Sequence, residues 1–191
     1  PACVCLGLQN QEHAPCEVEL FLPNELKHFQ IATGLPSKSL VKGRFTLKGD
    51  NYDQLIDSPF ELAEQSRFSF EANGIPHEFV ISGQHNTNLE RLKTDIEKIC
   101  QTEINMFGSA PFQNYTFMTM ATGNSYGGLE HCNSTSLITP RDDLPKADEA
   151  EEPSKDYQRF LGLCSHEYFH SWLVKFIRPE NFVNYDLNKE G

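Results

Sequence analysis

Val18, Leu20 and Leu22 alternate with polar neighbours through CEVELFLP (residues 16–23), and RFTLKG (44–49) repeats the same period of two. Alternation sends successive side chains to opposite faces of a strand, so residues 1–57 read as β-rich. Around these strands, ATGLP (32–36) and KGDNYDQLIDSP (48–59) carry the glycine, proline, asparagine and aspartate of turns. RFSFEA (67–72) and HEFVISG (77–83) predict two further strands joined through NGIP (73–76). YTFMTMAT (115–122) predicts another, and GGLEHCNSTSLIT (127–139) one more, polar enough to lie at a sheet edge.

Twice the period changes to that of a helix. In residues 88–108, Leu89, Leu92, Ile96, Ile99 and Glu103 recur at helical spacing, with Asn88 placed to cap the start and Gly108 just past the end. A second helix opens at Ser154, a good N-cap residue, with Asp156 in a first turn that favours negative charge. Tyr157, Phe160, Leu161, Cys164, Tyr168 and Trp172 form its apolar stripe, and Pro179 is expected to end it. The chain thus reads as α+β. Residues 1–57 are the C-terminal part of a β-rich domain and residues 58–191 open a second domain.

At 191 residues the chain is long enough to bury a substantial core. Its 16 basic and 27 acidic residues leave a net charge of −11, which argues against nucleic acid or an anionic membrane as partner. Part of the acidic excess is local, in RDDLPKADEAEEPSKD (141–156), and reads as a solvated loop. No apolar run approaches the roughly 18 residues of a membrane span. The sequence enters at Pro1 directly into CVCLGL, so it reads as a fragment of something longer, and a cytoplasmic location is the expectation. Six cysteines are too sparse for a disulfide scaffold and are expected to pack mainly as reduced, small hydrophobes.

LCSHEYFHSW (163–172) carries the chemistry. On a helix, His166 and His170 stack on one face a turn apart, so both imidazoles can reach one zinc ion at about 2.0–2.1 Å. Glu167 is turned by about 100°, beside the metal rather than on it. There it can take a proton from a zinc-activated water as general base and pass it to the leaving amine. Two histidines leave such a site one protein ligand short. Downstream of His170 stand Glu180, Asp186 and Glu190, of which Glu190 has a plausible linear distance for the third ligand. Read as residues alone, two core histidines bonded to backbone remain an alternative.

YGGLEHCNSTSL (126–137), followed by LGLCSHEYFHSWLVKFIRPENFVNYDL, closely resembles the glycyl aminopeptidase family, bacterial zinc metallopeptidases within the gluzincins. IATGLP (31–36), YDQLIDSPFEL (52–62) and IPHEFVISG (75–83) resemble it too, in order, over nearly the whole chain. The resemblance implies an N-terminal β domain, a thermolysin-like catalytic domain and commonly a C-terminal PDZ domain. The stretch in hand would hold the end of the first and the first half of the second, whose mixed sheet has an edge strand beside the H-E-x-x-H helix. It implies removal of N-terminal residues from peptides, glycine and sometimes alanine preferred. His166 and His170 would be the zinc ligands and Glu167 the base. By the same resemblance Glu190, in YDLNKE, is the acid that precedes the ligand helix, so the third ligand is expected beyond Gly191 and this stretch alone to be inactive.

GGLEH (127–131) also resembles the G-x-M-E-N strand of related aminopeptidases. An edge strand can pair with an extended peptide, Glu130 can hold a free α-ammonium by a charge-assisted bond, and Gly127 and Gly128 allow close backbone approach, with Leu129 between. Peptides with a free N-terminus are therefore the expected partners; no oligomeric state follows. Two departures stand out: the family's Trp-Asn-Val-Lys-Arg is Trp172-Leu173-Val174-Lys175-Phe176 here. An endopeptidase of the same zinc class and a non-catalytic peptide-binding relative are the alternatives.

Overall fold

The computed structural model describes residue 5 and residues 7–146 and 152–180. In chain order the elements are β1 (Cys16–Phe21), β2 (Gln30–Thr33), β3 (Ser37–Val41), β4 (Arg44–Gly49), α1 (Tyr52–Ile56), β5 (Phe60–Ala63), β6 (Gln65–Ala72) and β7 (Ile75–Ser82). They continue with α2 (Leu89–Phe107), β8 (Tyr115–Thr122), β9 (Gly127–Glu130), β10 (Ser134–Pro140) and α3 (Lys155–Phe169). The fold is α+β, with small N-terminal sheets followed by a larger mixed sheet and its helices.

β1, β4 and β3 form an antiparallel sheet in that order, and β2 pairs with β5. Val18 and Leu20, on the inner face of β1, pack toward Leu35, Leu47 and Leu55. Two segments expected to be turns do more than turn. Ala32 and Thr33 of ATGLP end β2, and Leu35 is buried. KGDNYDQLIDSP contains α1, nucleated because the Asn51 side chain accepts the Gln54 N–H at 2.8 Å. The pairing of β5 with β2 ties Phe60–Ala63 to the N-terminal strands, and the larger sheet begins at Gln65.

That sheet has the order β6-β7-β8-β10-β9. β6 and β7 form a hairpin whose two-residue turn, Asn73 (φ 50°) and Gly74 (φ 76°), has the left-handed backbone that matches strand twist. β7/β8 and β8/β10 are parallel, and β8 is buried on both faces, as parallel strands are. The stretch 127–139, expected as one strand, is two: β9 reverses at His131–Asn133 and pairs antiparallel with β10. The His131 N–H donates to the Ser134 carbonyl at 3.0 Å, and the Asn133 amide reaches the Gly34 carbonyl at 2.8 Å, so polar side chains make a turn that lacks glycine and proline. β9 is the edge.

α2 begins at Asn88, whose side chain accepts the Arg91 N–H, and ends at Gly108 in the left-handed conformation. It buries Leu92, Ile96, Cys100, Glu103 and Ile104, with Leu89 and Ile99 at the margin. α3 is capped by Ser154 and buries Tyr157, Phe160, Leu163, Cys164, Glu167 and Tyr168. Expected to run to Pro179, it stops at Phe169. Trp172 is drawn into the core, where it stacks on Phe107 at 4.8 Å and donates its indole N–H to the Ser109 carbonyl at 2.8 Å. Cys16, Cys100, Cys132 and Cys164 are free thiols, Cys100 and Cys164 buried.

One buried acid joins α2 to α3. Ser165 Oγ donates to Glu103 Oε1 at 2.6 Å, while Oε2 is buried without a partner. Burial raises this carboxyl to about 7, against the opposing hydrogen bond from Ser165. Between the unfolded value of 4.5 and about 7 the folded chain therefore holds more protons than the unfolded one, so Glu103 costs stability as pH rises. Glu103→Gln should remove that cost, worth up to ~3 kcal/mol above pH 7. Urea midpoints of both proteins at pH 5 and pH 8 measure it, and parallel pH slopes would refute it.

Candidate active site

His166, Glu167 and His170 occupy the last turn of α3 and its C-cap, where φ −62° and ψ −18° keep His170 in the helical row. Four residues of separation therefore bring the rings together: the two Nε2 atoms lie 3.1 Å apart and the ring centroids 4.6 Å. His170 Nδ1 lies 2.8 Å from the Leu173 carbonyl. A carbonyl only accepts, so Nδ1 carries the proton and Nε2 presents its lone pair to His166. This answers one departure from the family pattern. Residue 173 acts through its backbone oxygen, which any residue supplies, and its side chain is exposed, as is that of Phe176.

Glu167 is 5% exposed. Burial raises its pKa above the ordinary carboxylate value, His166 and His170 oppose that, and the Glu130 charge adds to it. Glu130 comes from β9, which runs beside α3. Strand alternation sets Gly128 and Glu130 toward the helix and Gly127 and Leu129 the other way. A Cβ built on Gly128 would overlap the Glu167 carboxyl, whereas one on Gly127 would meet only Ile138 Cγ2 at 3.8 Å. The missing side chain at Gly128 thus lets strand and carboxylate lie in contact. Ligand atoms of Glu130, Glu167 and His170 all fall within 4.8 Å of one another. Leu129, half-exposed, lines an apolar hollow of about 480 Å³ with Gly127, Gly128, Phe60, Met118 and Met120.

The donors suit a zinc ion. Imidazole nitrogen and carboxylate oxygen are its common ligands, and two nitrogens on one tetrahedral zinc at about 2.0–2.1 Å stand roughly 3.3 Å apart. The two Nε2 atoms approach that separation, and the His170 lone pair is turned toward His166. Glu190 lies outside the described residues.

Residues that sequence reasoning did not single out hold the edge strand in place. Tyr126, just before β9, donates its hydroxyl to the Arg159 carbonyl at 3.1 Å, and the Arg159 guanidinium sits 3.9 Å over its ring. At the other end Asp57 accepts the Cys132 N–H at 2.8 Å. An aromatic next to the strand was a visible signal for the first. Nothing in a single sequence signals the second.

A helix bearing two imidazoles and an acid, laid against the edge of a mixed five-stranded sheet, is an aminopeptidase-like architecture. Family comparison agrees: the Peptidase M61 N-terminal domain matches residues 1–64 and the M61 glycyl aminopeptidase domain residues 159–191. The chain belongs to the M61 glycyl aminopeptidase family. It is 46% identical to the aminopeptidase N family protein from Idiomarina loihiensis, with a TM-score of 0.92 over 98% of this chain and 32% of that one. It spans, therefore, about a third of that relative. Aminopeptidase A from Legionella pneumophila, solved with aspartic acid, is 14% identical with a TM-score of 0.53 over 75% of this chain and 18% of that one, a likeness of fold alone. No curated protein matches the chain.

Gly128→Ala should force the edge strand off α3 or displace the Glu167 carboxylate, at a cost of about 1–3 kcal/mol. Gly127→Ala, with ordinary space for its methyl group, should cost less. Denaturant midpoints of the two variants decide it, and equal values would contradict the packing argument.

Proposed function

We propose that the protein is a zinc-dependent aminopeptidase that releases N-terminal residues, glycine and alanine preferred, from peptides with a free amine. The observation that carries this reading is the packing of the Glu130 edge strand on the His166–His170 turn, which brings a substrate-binding strand, a base and two imidazoles to one place. His166 and His170 would hold the ion, with a further protein ligand outside the described residues. Bound there, zinc would supply Lewis acidity, polarising the scissile carbonyl and lowering the pKa of water.

The chain's own groups would do the rest. The outer edge of β9 offers its backbone to an extended peptide, and the bare backbone at Gly127 and Gly128 lets that peptide approach. Glu130 would grip the α-ammonium, fixing the first residue in the site and rejecting blocked chains. Glu167 would take the proton from the attacking water and carry it to the leaving amine. Burial raises its pKa, which favours its holding the proton between the two steps. No helix among the described residues is long and apolar enough to cross a membrane. We place the activity in the cytoplasm, a reading that the free thiols favour.

The test uses the full-length protein on glycyl and alanyl p-nitroanilides beside their N-acetylated forms. Only free amines should be cleaved; equal cleavage of acetylated substrates would turn the assignment to an endopeptidase, and peptide binding without turnover to a non-catalytic relative. Glu167→Gln should keep zinc and lose at least ~10²-fold in kcat. A chelator should abolish activity and added zinc restore it.

A further inference from the structure

Asp57 belongs neither to the helix that carries His166 and His170 nor to the edge strand, yet it touches the continuation of both. It is the C-cap of α1, in the N-terminal part of the chain, where its own N–H donates to the Asp53 carbonyl at 3.0 Å. Its carboxylate reaches across to two distant turns. Oδ2 accepts the Cys132 N–H at 2.8 Å, and His131 Nδ1 stands 3.5 Å from Oδ1. Residues 131 and 132 are the two that follow Glu130. Oδ1 accepts Lys175 Nζ at 2.7 Å, across 118 residues of sequence. Lys175 in turn donates its backbone N–H to the His170 carbonyl at 3.1 Å, in the same turn whose Leu173 carbonyl orients the His170 ring.

One carboxylate thus fixes both ends of the site: the strand end bearing Glu130 and the turn closing on His170. These are directional bonds in a half-sheltered place, with side-chain exposures of 23% for Asp57, 19% for Lys175 and 12% for His131. Burial alone would raise the Asp57 pKa, but the neighbouring His131 ring and the hydrogen bonds from Lys175 and Cys132 outweigh it and hold the carboxyl well below its ordinary value. The group is an anion at neutral pH with its partners in place. An exposed ion pair would add little to stability and nothing to geometry. A charge-assisted bond that joins three chain segments next to reacting groups sets distances, and a misplacement of about 1 Å there can cost ~10²-fold in rate.

We propose that Asp57 is a positioning residue of the peptidase site, through which the N-terminal unit holds the Glu130 strand end and the His170 turn in register. This rests on the aminopeptidase reading above for the role of Glu130, while its action on His170 is tested without turnover. In the full-length protein, the zinc dissociation constant by competition with a chromophoric chelator, kcat and KM for glycyl p-nitroanilide, and Tm would be measured for wild type, Asp57→Ala and Lys175→Met. Asp57→Ala should weaken zinc binding about tenfold, the scale of losing a group that orients a metal ligand. It should also raise KM about tenfold with kcat changed less than about threefold, because the grip on the amine is loosened. Lys175→Met, which breaks only the arm to His170, should reproduce the zinc effect and leave KM near wild type. Zinc affinity and KM within about twofold of wild type in Asp57→Ala overturn the proposal, as does a loss in both variants that simply follows a lowered Tm. If Asp57→Ala does not fold, Lys175→Met decides: unchanged zinc affinity refutes it. Wild type that binds zinc but cleaves no free-amine substrate would sink the aminopeptidase reading alone, and the zinc measurements would still judge Asp57.

Discussion

The contact between the backbone at Gly128 and the carboxylate of Glu167 sets the rest of the site. A strand edge and a helix normally stand apart by the thickness of their side chains. With no Cβ at residue 128, β9 can lie directly on the face of α3 that carries Glu167. That closeness buries the carboxylate, brings Glu130 within reach of Glu167 and His170, and leaves the outer edge of β9 open beside them. A side chain at 128 would either push the strand off the helix or turn the Glu167 carboxylate aside, and either change disturbs the constellation with every functional group still present.

Such a contact needs rigid backing, and the aromatic core provides it. Tyr168, between Glu167 and Phe169, is fully buried with its hydroxyl 2.8 Å from His77 Nε2, while His77 Nδ1 lies 2.8 Å from the Ile75 carbonyl. The Ile75 carbonyl only accepts, so Nδ1–H donates to it and Nε2 accepts from Tyr168, with both polar ends satisfied inside the core. Burial depresses the His77 pKa to about 4, so this histidine stays neutral and serves packing. Phe117 and Tyr115 pack on Tyr168, and Trp172 closes the row against Phe107. The rotation of α3 about its axis is therefore set on one side by this cluster, which fixes where His166, Glu167 and His170 project on the other.

Much of this was legible in the sequence where the determinants are local. Asn88, Gly108 and Ser154 mark the helix ends they were expected to mark, because a cap is an interaction with the next few residues. The spacing of His166 and His170 specifies their approach for the same reason. Errors fall where distant parts decide. α3 ends ten residues before Pro179 because Trp172 finds its partners on Phe107 and Ser109, a tertiary effect no local breaker announces. The reversal between β9 and β10 uses His131, Cys132 and Asn133, whose turn chemistry is completed by Gly34 from another unit. Asp57 sat in a segment read only as a turn, and its partners lie up to 118 residues away.

The charges suit the site to the cations of the proposed reaction. Glu130 and Glu167 are neighbouring carboxylates, one of them almost wholly buried, and after burial itself the Glu130 charge raises the cost of ionising Glu167. Like charges in a sheltered place repel strongly. A divalent ion at the two imidazoles and an ammonium at Glu130 would relieve that repulsion from opposite sides. In the proposed reaction the acid on the strand would bind the amine, while the buried one, its pKa raised first by burial, would accept and return the proton. Two identical chemical groups would thereby be set to different work by their surroundings.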